Sequence, residues 1–105
     1  MDFEQTVMEL LINAGEARSQ AMTAIQLARK REWESADEAL AASQEASKQA
    51  HHIQTRLIGA DEGCGKVPVT LILVHAQDHL MNAMLCRELA EEIIALRKEL
   101  FAAKE

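Results

Sequence analysis

The chain has 105 residues, 49% of them hydrophobic, which excludes a disordered polymer and leaves room for one domain, spanning residues 1–105, but not for two ordinary ones. Seventeen acidic residues stand against eleven basic ones, a formal net charge of -6, and the chain lacks the basic footprint that a nucleic-acid binder needs. Cys64 and Cys86 are too few and too far apart for a disulfide framework or a thiolate metal site; with no basic-then-apolar leader and no run of roughly 18 apolar residues, a cytoplasmic location with reduced thiols is expected.

The first segment, residues 3 to 30, places Val7, Leu10, Leu11, Ala14, Ala17, Ala21, Ile25 and Ala28 at helical spacing and ends in the basic cluster Arg29-Lys30-Arg31, which suits a helix carboxyl terminus. Gly15 sits inside this pattern at a cost of about 1 kcal/mol relative to alanine; it is either a tolerated surface glycine or a point of close approach. Residues 34 to 58 repeat the period with Ala36, Leu40, Ala46, Ala50, Ile53 and Leu57, and Ser43 and Ser47 make the seam rich in small residues. Trp33, just ahead, is placed to staple the first turn. The glycine-rich stretch 59–66 ends the second helix. It is no phosphate-binding loop, since the Walker spacing is absent and no strand leads into it. Pro68 suits the first turn of a third helix running to about residue 103, roughly 50 Å long. Its period is carried by Leu80, Met84, Leu85, Leu89, Ile93, Leu96 and Leu100. The fold class is therefore all-α, an antiparallel three-helix bundle.

Within the third helix, Leu71, Val74, Met81 and Leu85 form an apolar seam in which Asp78 takes one position. A carboxylate on a packing seam is costly unless it is paired, protonated or metal-bound. His75 and His79, four residues apart, stack along one side of that seam. A zinc site would need three or four protein ligands, and the His-Glu-x-x-His pattern is missing because Ala76 follows His75. A different use fits better: a neutral imidazole exposed beside a seam attacks a phosphoryl group and hands it on. Gln77, His79 and Asn82 are candidates for the polarity around His75. A second polar island on the second helix, with His51 and Gln54 three residues apart, is placed to approach this region from an adjacent helix or subunit. Asp78 has two readings: hydrogen bonding to one of His51, His52, Gln54 and Thr55, or meeting its own copies around a threefold axis, where oxygen ligands favour a hard cation such as magnesium.

Taken together, Ile12-Asn13-Ala14-Gly15-Glu16-Ala17-Arg18-Ser19, Ala50-His51-His52-Ile53-Gln54-Thr55-Arg56-Leu57-Ile58, the glycine loop and Val74-His75-Ala76-Gln77-Asp78-His79-Leu80-Met81 resemble the IIA component of the lactose/cellobiose/diacetylchitobiose class of the bacterial sugar phosphotransferase system. The resemblance implies a homotrimer of three-helix subunits. It implies that His75 is the transient phosphorylation site, a tele-phosphohistidine, and that three copies of Asp78 bind a magnesium ion at the trimer centre. The phosphoryl group would come from the histidine phosphocarrier protein and pass to a cysteine of the cognate IIB protein, which serves the membrane IIC component; the chain itself would bind no sugar directly. Neither Cys64 nor Cys86 is that cysteine, which belongs to the partner. Cys64 and Pro68 depart from the residues more usual in this loop, and His51 matches the family better than His52. The competing expectation is a non-enzymatic helical adaptor. The sugar stays open among cellobiose, diacetylchitobiose, lactose and other β-glycosides.

Overall fold

The computed structural model describes residues 1–104, and its elements are three long helices: α1 (Phe3–Arg29), α2 (Trp33–Asp61) and α3 (Leu71–Lys104). Asp2 starts α1 by accepting from the Gln5 backbone N–H at 3.1 Å, with Glu4 in the first turn and Arg29 in the last, each on the side the helix dipole favours. The α1–α2 turn closes tightly. Arg31 takes a left-handed φ of 63°, and the Glu32 N–H donates to Leu27 O at 3.0 Å.

The second connection differs from expectation in two places. Gly59 lies inside α2, which continues to Asp61 and stops where Glu62 turns left-handed at φ 53°. A single glycine costs only about 1 kcal/mol, and Asp61 offsets it by organising the loop: its backbone oxygen accepts from Cys64 N at 3.1 Å and its carboxylate from Val67 N at 3.0 Å. Gly63 and Gly65, at φ 67° and 79°, supply the conformations that the turn requires. Pro68 is not in the first turn of α3 but precedes it. Thr70 is the stronger start signal, its hydroxyl accepting from Leu73 N at 3.2 Å, and proline holds Val67 out of the helical region.

Small side chains set the spacing of the bundle. Ala14, Ala17, Ala21, Ala24 and Ala28 of α1 are buried, as are Ala36, Ala39, Ser43, Ala46, Ser47 and Ala50 of α2 and Ala76, Ala83 and Ala90 of α3. Backbones therefore approach closely, as in the 2.6 Å bond that the Ser43 hydroxyl donates to Ala17 O. Larger residues gather at the loop end, where Val7, Leu10, Ile53, Leu57, Val67, Leu73 and Leu80 form one cluster. At the opposite pole Trp33, the first residue of α2 rather than its forerunner, packs on Phe101 with ring centroids 5.8 Å apart. Gln54 meets Gln77 and Lys98 meets Asp37, so α3 runs antiparallel to α2; Gly15 meets His79 and Met22 meets Cys86, so α3 runs parallel to α1.

The long apolar period of α3 divides between two faces. Leu73, Ala76, Leu80, Ala83, Ala90 and Ile94 point into the bundle, whereas Leu71, Val74, Met81, Leu85, Leu89, Ile93, Leu96 and Leu100 are exposed. Leu80 and Met84, expected on one seam with the later leucines, belong with the core and its margin. No helix among the described residues is long and apolar enough to cross a membrane.

The two buried serines make opposite predictions. Ser43→Ala forfeits the bond to Ala17 and should lower stability by about 1 kcal/mol. Ser47 Oγ is buried without a hydrogen-bond partner, so Ser47→Ala should be neutral or stabilising by up to about 1 kcal/mol. Urea unfolding at fixed chain concentration measures both.

Candidate functional site

Histidine and aspartate leave α3 on distinct lines. Asp78 is exposed within the outward apolar stripe, one turn above Val74 and just below Met81. It makes no ion pair among the described residues. No hydrogen bond joins it to the polar island of α2 among the described residues, where Gln54 Nε2 donates to Gln77 Oε1 and Thr55 Oγ1 donates to the His51 backbone oxygen at 3.0 Å.

His75 lies on the edge of α3 that borders α1. It is exposed, and its ring stacks over that of half-buried His79 with centroids 6.0 Å apart and planes 16° from parallel. The stacking follows from the four-residue interval, which brings the two rings one above the other. Gly15 of α1 backs the pair: a Cβ there would stand 3.5 Å from His79 Nε2. Gly15 therefore faces α3 and is not a glycine of the open surface. Farther along the same edge come Asn82 and then Cys86, whose thiol donates to Met22 Sδ at 3.7 Å. The contacts of Gly15 and Met22 with this edge escaped the sequence, since nothing local marks which residue of α1 meets which residue of α3.

Gln77 is not beside His75. Two residues turn a helix by about 200°, so Gln77 points to the α2 edge, where it is half-buried against Gln54 and borders a groove of 180 Å³ with Leu57, Ile58, Asp61, Val67, Val69 and Leu73. His51 and His52 line another groove on that side, of 310 Å³, with Gln44, Ser47, Lys48, Met84 and Arg87. Within one chain, then, His79 alone of the expected supporting residues is stacked on His75. Asn82 shares its edge two turns away, and His51, Gln54 and Gln77 occupy the other edge.

Metal binding within one subunit is likewise not supported. Among the described residues no three His, Cys, Asp or Glu side chains converge into a cluster that could hold an ion. What a chain offers is one exposed carboxylate on an apolar stripe.

Chemically, an open imidazole on a rigid helix, stacked on a second imidazole, suits attack on a group presented by another macromolecule. Comparisons with known proteins identify the family. Residues 5–98 match the family model described as the lactose/cellobiose-specific IIA subunit of the PTS system. The chain is 46% identical over 101 residues to the N,N'-diacetylchitobiose-specific EIIA component of Escherichia coli K12, covering 96% of this chain and 87% of that protein. The crystal structure of the PTS cellobiose-specific enzyme IIA from Bacillus anthracis superposes with a TM-score of 0.91 at 45% identity, covering 97% of this chain and 94% of the other. The E. coli chitobiose IIA, solved in solution in complex with HPr, gives a TM-score of 0.82 at 44% identity over 95% of this chain and 97% of that one.

The 3.5 Å clearance at Gly15 is ordinary van der Waals contact. Gly15→Ala should therefore raise stability by about 0.4–1 kcal/mol through the loss of unfolded-state freedom. Gly15→Leu should displace His79. Urea unfolding gives the first, and histidine-ring NMR shifts, moved strongly only in the leucine variant, give the second.

Proposed function

The chain belongs to the lactose/cellobiose-specific IIA subunit family of the phosphotransferase system, and on that premise we propose that it is a cytoplasmic phosphohistidine carrier in which His75 is the phosphorylated residue. The observation that carries this is the exposed His75 imidazole, stacked on His79 on an open edge of α3. The donor is the histidine phosphocarrier protein, in keeping with a relative solved in complex with HPr. Nε2 of His75 attacks the phosphorus with its lone pair; the new N–P bond forms as the donor's N–P bond breaks, and that bonding pair leaves with the donor nitrogen. In the second transfer a IIB cysteine thiolate attacks the same phosphorus and His75 Nε2 takes back its electron pair. IIB then serves the membrane IIC component, where the sugar is selected. Such transfers are governed by positioning and by charge around the phosphoryl oxygens, which fits residues held on stiff helices rather than in loops.

The proposed assembly is a homotrimer in which the outward stripes of α3 pack about a threefold axis. The exposed positions Leu71, Val74, Asp78, Met81 and Leu85 follow heptad spacing. The register then advances by one residue and resumes at Leu89, Ile93, Leu96 and Leu100, so the stripe averages about 3.6 residues per turn and stays parallel to a nearly straight helix. Cyclic symmetry makes every interface heterologous: the α1 edge of one α3 meets the α2 edge of the next. His75 of one subunit thereby comes beside the edge bearing the partner's Gln77, which Gln54 holds in place. This restores to Gln77 and Gln54 a supporting role they lack in the single chain. Asn82 borders the same seam, and His51 lies farther from the phosphoryl position.

Asp78 falls on the axis. Three carboxylates in an apolar setting demand neutralisation, and their hard oxygens suit magnesium. Such an ion would supply charge compensation at the centre of the assembly; His75, on the edge, performs the transfer.

Incubation with phosphoenolpyruvate and the two general phosphotransferase proteins should add one acid-labile phosphoryl group per chain. His75→Ala should abolish the label, and its persistence would sink the assignment; an unlabelled wild type would favour a helical adaptor. His79→Ala should keep the label but slow its acquisition by roughly tenfold or more. In sedimentation, Asp78→Leu should remain trimeric with stability unchanged or raised, because packed apolar groups replace buried ions at little or no cost, and it should still be phosphorylated.

A further inference from the structure

The carboxyl-terminal half of α3 carries two sets of charged side chains that form no ion pair among the described residues. On the α1 edge, Arg97 and Lys104 line a cleft of 140 Å³ with Arg29, Arg31, Trp33 and Phe101. The Arg31 guanidinium lies 4.7 Å from the Phe101 ring centroid, which keeps one cation of the cleft in place. On the other edge, exposed Glu92 and Glu99 border a shallow groove of 290 Å³ with Ile93, Ala95 and Leu96. Neighbouring charges are already used internally: Lys98 Nζ lies 2.9 Å from Asp37, and Arg87 reaches Glu91 at 3.6 Å. Arg97, Lys104, Glu92 and Glu99 have no such partner among the described residues.

Their spacing is informative. With Leu89 and Leu96 at d and Ile93 and Leu100 at a, Glu92 and Glu99 occupy g, and Arg97 and Lys104 occupy e. In parallel helices a g residue pairs with the e residue about five positions further along the neighbour. Glu92 to Arg97 and Glu99 to Lys104 each have that interval. The two edges are complementary in charge at matching heights on a chain whose net charge of -6 otherwise disfavours self-association.

We infer that the cationic cleft is the receiving half of a subunit clamp, in which Glu92 and Glu99 of one copy pair with the partner's Arg97 and the partner's Lys104. The inference rests on the trimer proposed above and adds to it the residues that fix register and orientation. An antiparallel arrangement sets like charges opposite one another, and a slip of one heptad leaves one of the two pairs unmade, so the clamp favours the alignment that also brings His75 to the partner's Gln77. The cleft's cations thus take carboxylates from a second copy of this chain.

The test is sedimentation equilibrium of the full chain, with fluorescence of the single Trp33, which lines the cleft, followed on dilution. Arg97→Glu and Glu92→Arg should each raise the chain concentration for half-dissociation by about tenfold or more. The double variant Arg97→Glu/Glu92→Arg should recover most of that loss, and wild-type assembly should weaken as salt is added. Arg97→Ala and Glu92→Ala, with helicity checked by circular dichroism, guard against a reversal that merely misfolds. A wild type that is trimeric and indifferent to every reversal overturns the clamp alone. One that is monomeric yet labelled at His75 overturns the trimer and the clamp together while the carrier assignment stands. If millimolar inorganic phosphate shifts Trp33 emission in the intact trimer, the cleft is an open anion site and the clamp is overturned.

Discussion

The alanine and serine faces of α1 and α2 govern this molecule, because they bring three helix backbones so close that large side chains find little room between them. Ala17 and Ser43 show the spacing directly, with a side-chain hydroxyl reaching a neighbouring helix carbonyl at 2.6 Å. Most bulky residues of α3 are consequently displaced to its other side, where Leu71, which is 86% exposed, and the leucines beyond it form a second apolar face. A half-exposed leucine is ordinary on its own; a continuous line of them along one helix face marks a surface meant to be covered. Close packing inside and an apolar stripe outside are thus two results of one choice of residue size.

That division also arranges the chemistry. A helix with apolar faces on opposite sides has two edges left for polar side chains, and α3 uses them differently. The α1 edge holds the stacked histidines, while the α2 edge holds Gln77 against Gln54. A carrier that exchanges a phosphoryl group with successive macromolecular partners needs an open nucleophile on a rigid support. The edge of a long helix backed by Gly15 provides both properties. Asp78, by contrast, stands in the apolar stripe itself, where its charge would bear on the proposed assembly.

Much of this was legible in the amino-acid order. Three helices followed from periods of three and four, and the stacking of His75 on His79 followed from their interval. The polar interruption at Asp78 was visible because Val74 and Met81 frame it. What escaped was tertiary. A pattern that is apolar on both sides cannot say which side faces the bundle, so Leu80 and Leu85 looked equivalent although one is buried and the other is not. Gln77 seemed to support His75 because the two are near in sequence, and the helix turn separates them. Gly59 and Pro68 read as boundaries by composition, yet the boundaries were set by Glu62 and Thr70, through backbone geometry and a hydroxyl cap.

The alanine-lined interior has a consequence for the life of the chain in a cell. Methyl groups bury little apolar area per residue, so a chain with this interior is expected to hold its fold with a thin margin while displaying an apolar stripe. Surveillance proteases act on such loosely held species, and a stability difference of about 1–2 kcal/mol is enough to change abundance several-fold. If the chain assembles as proposed, copies that find no companions would be the ones cleared first. Turnover, rather than transcription alone, would then keep the pool of working subunits matched to the number that have assembled.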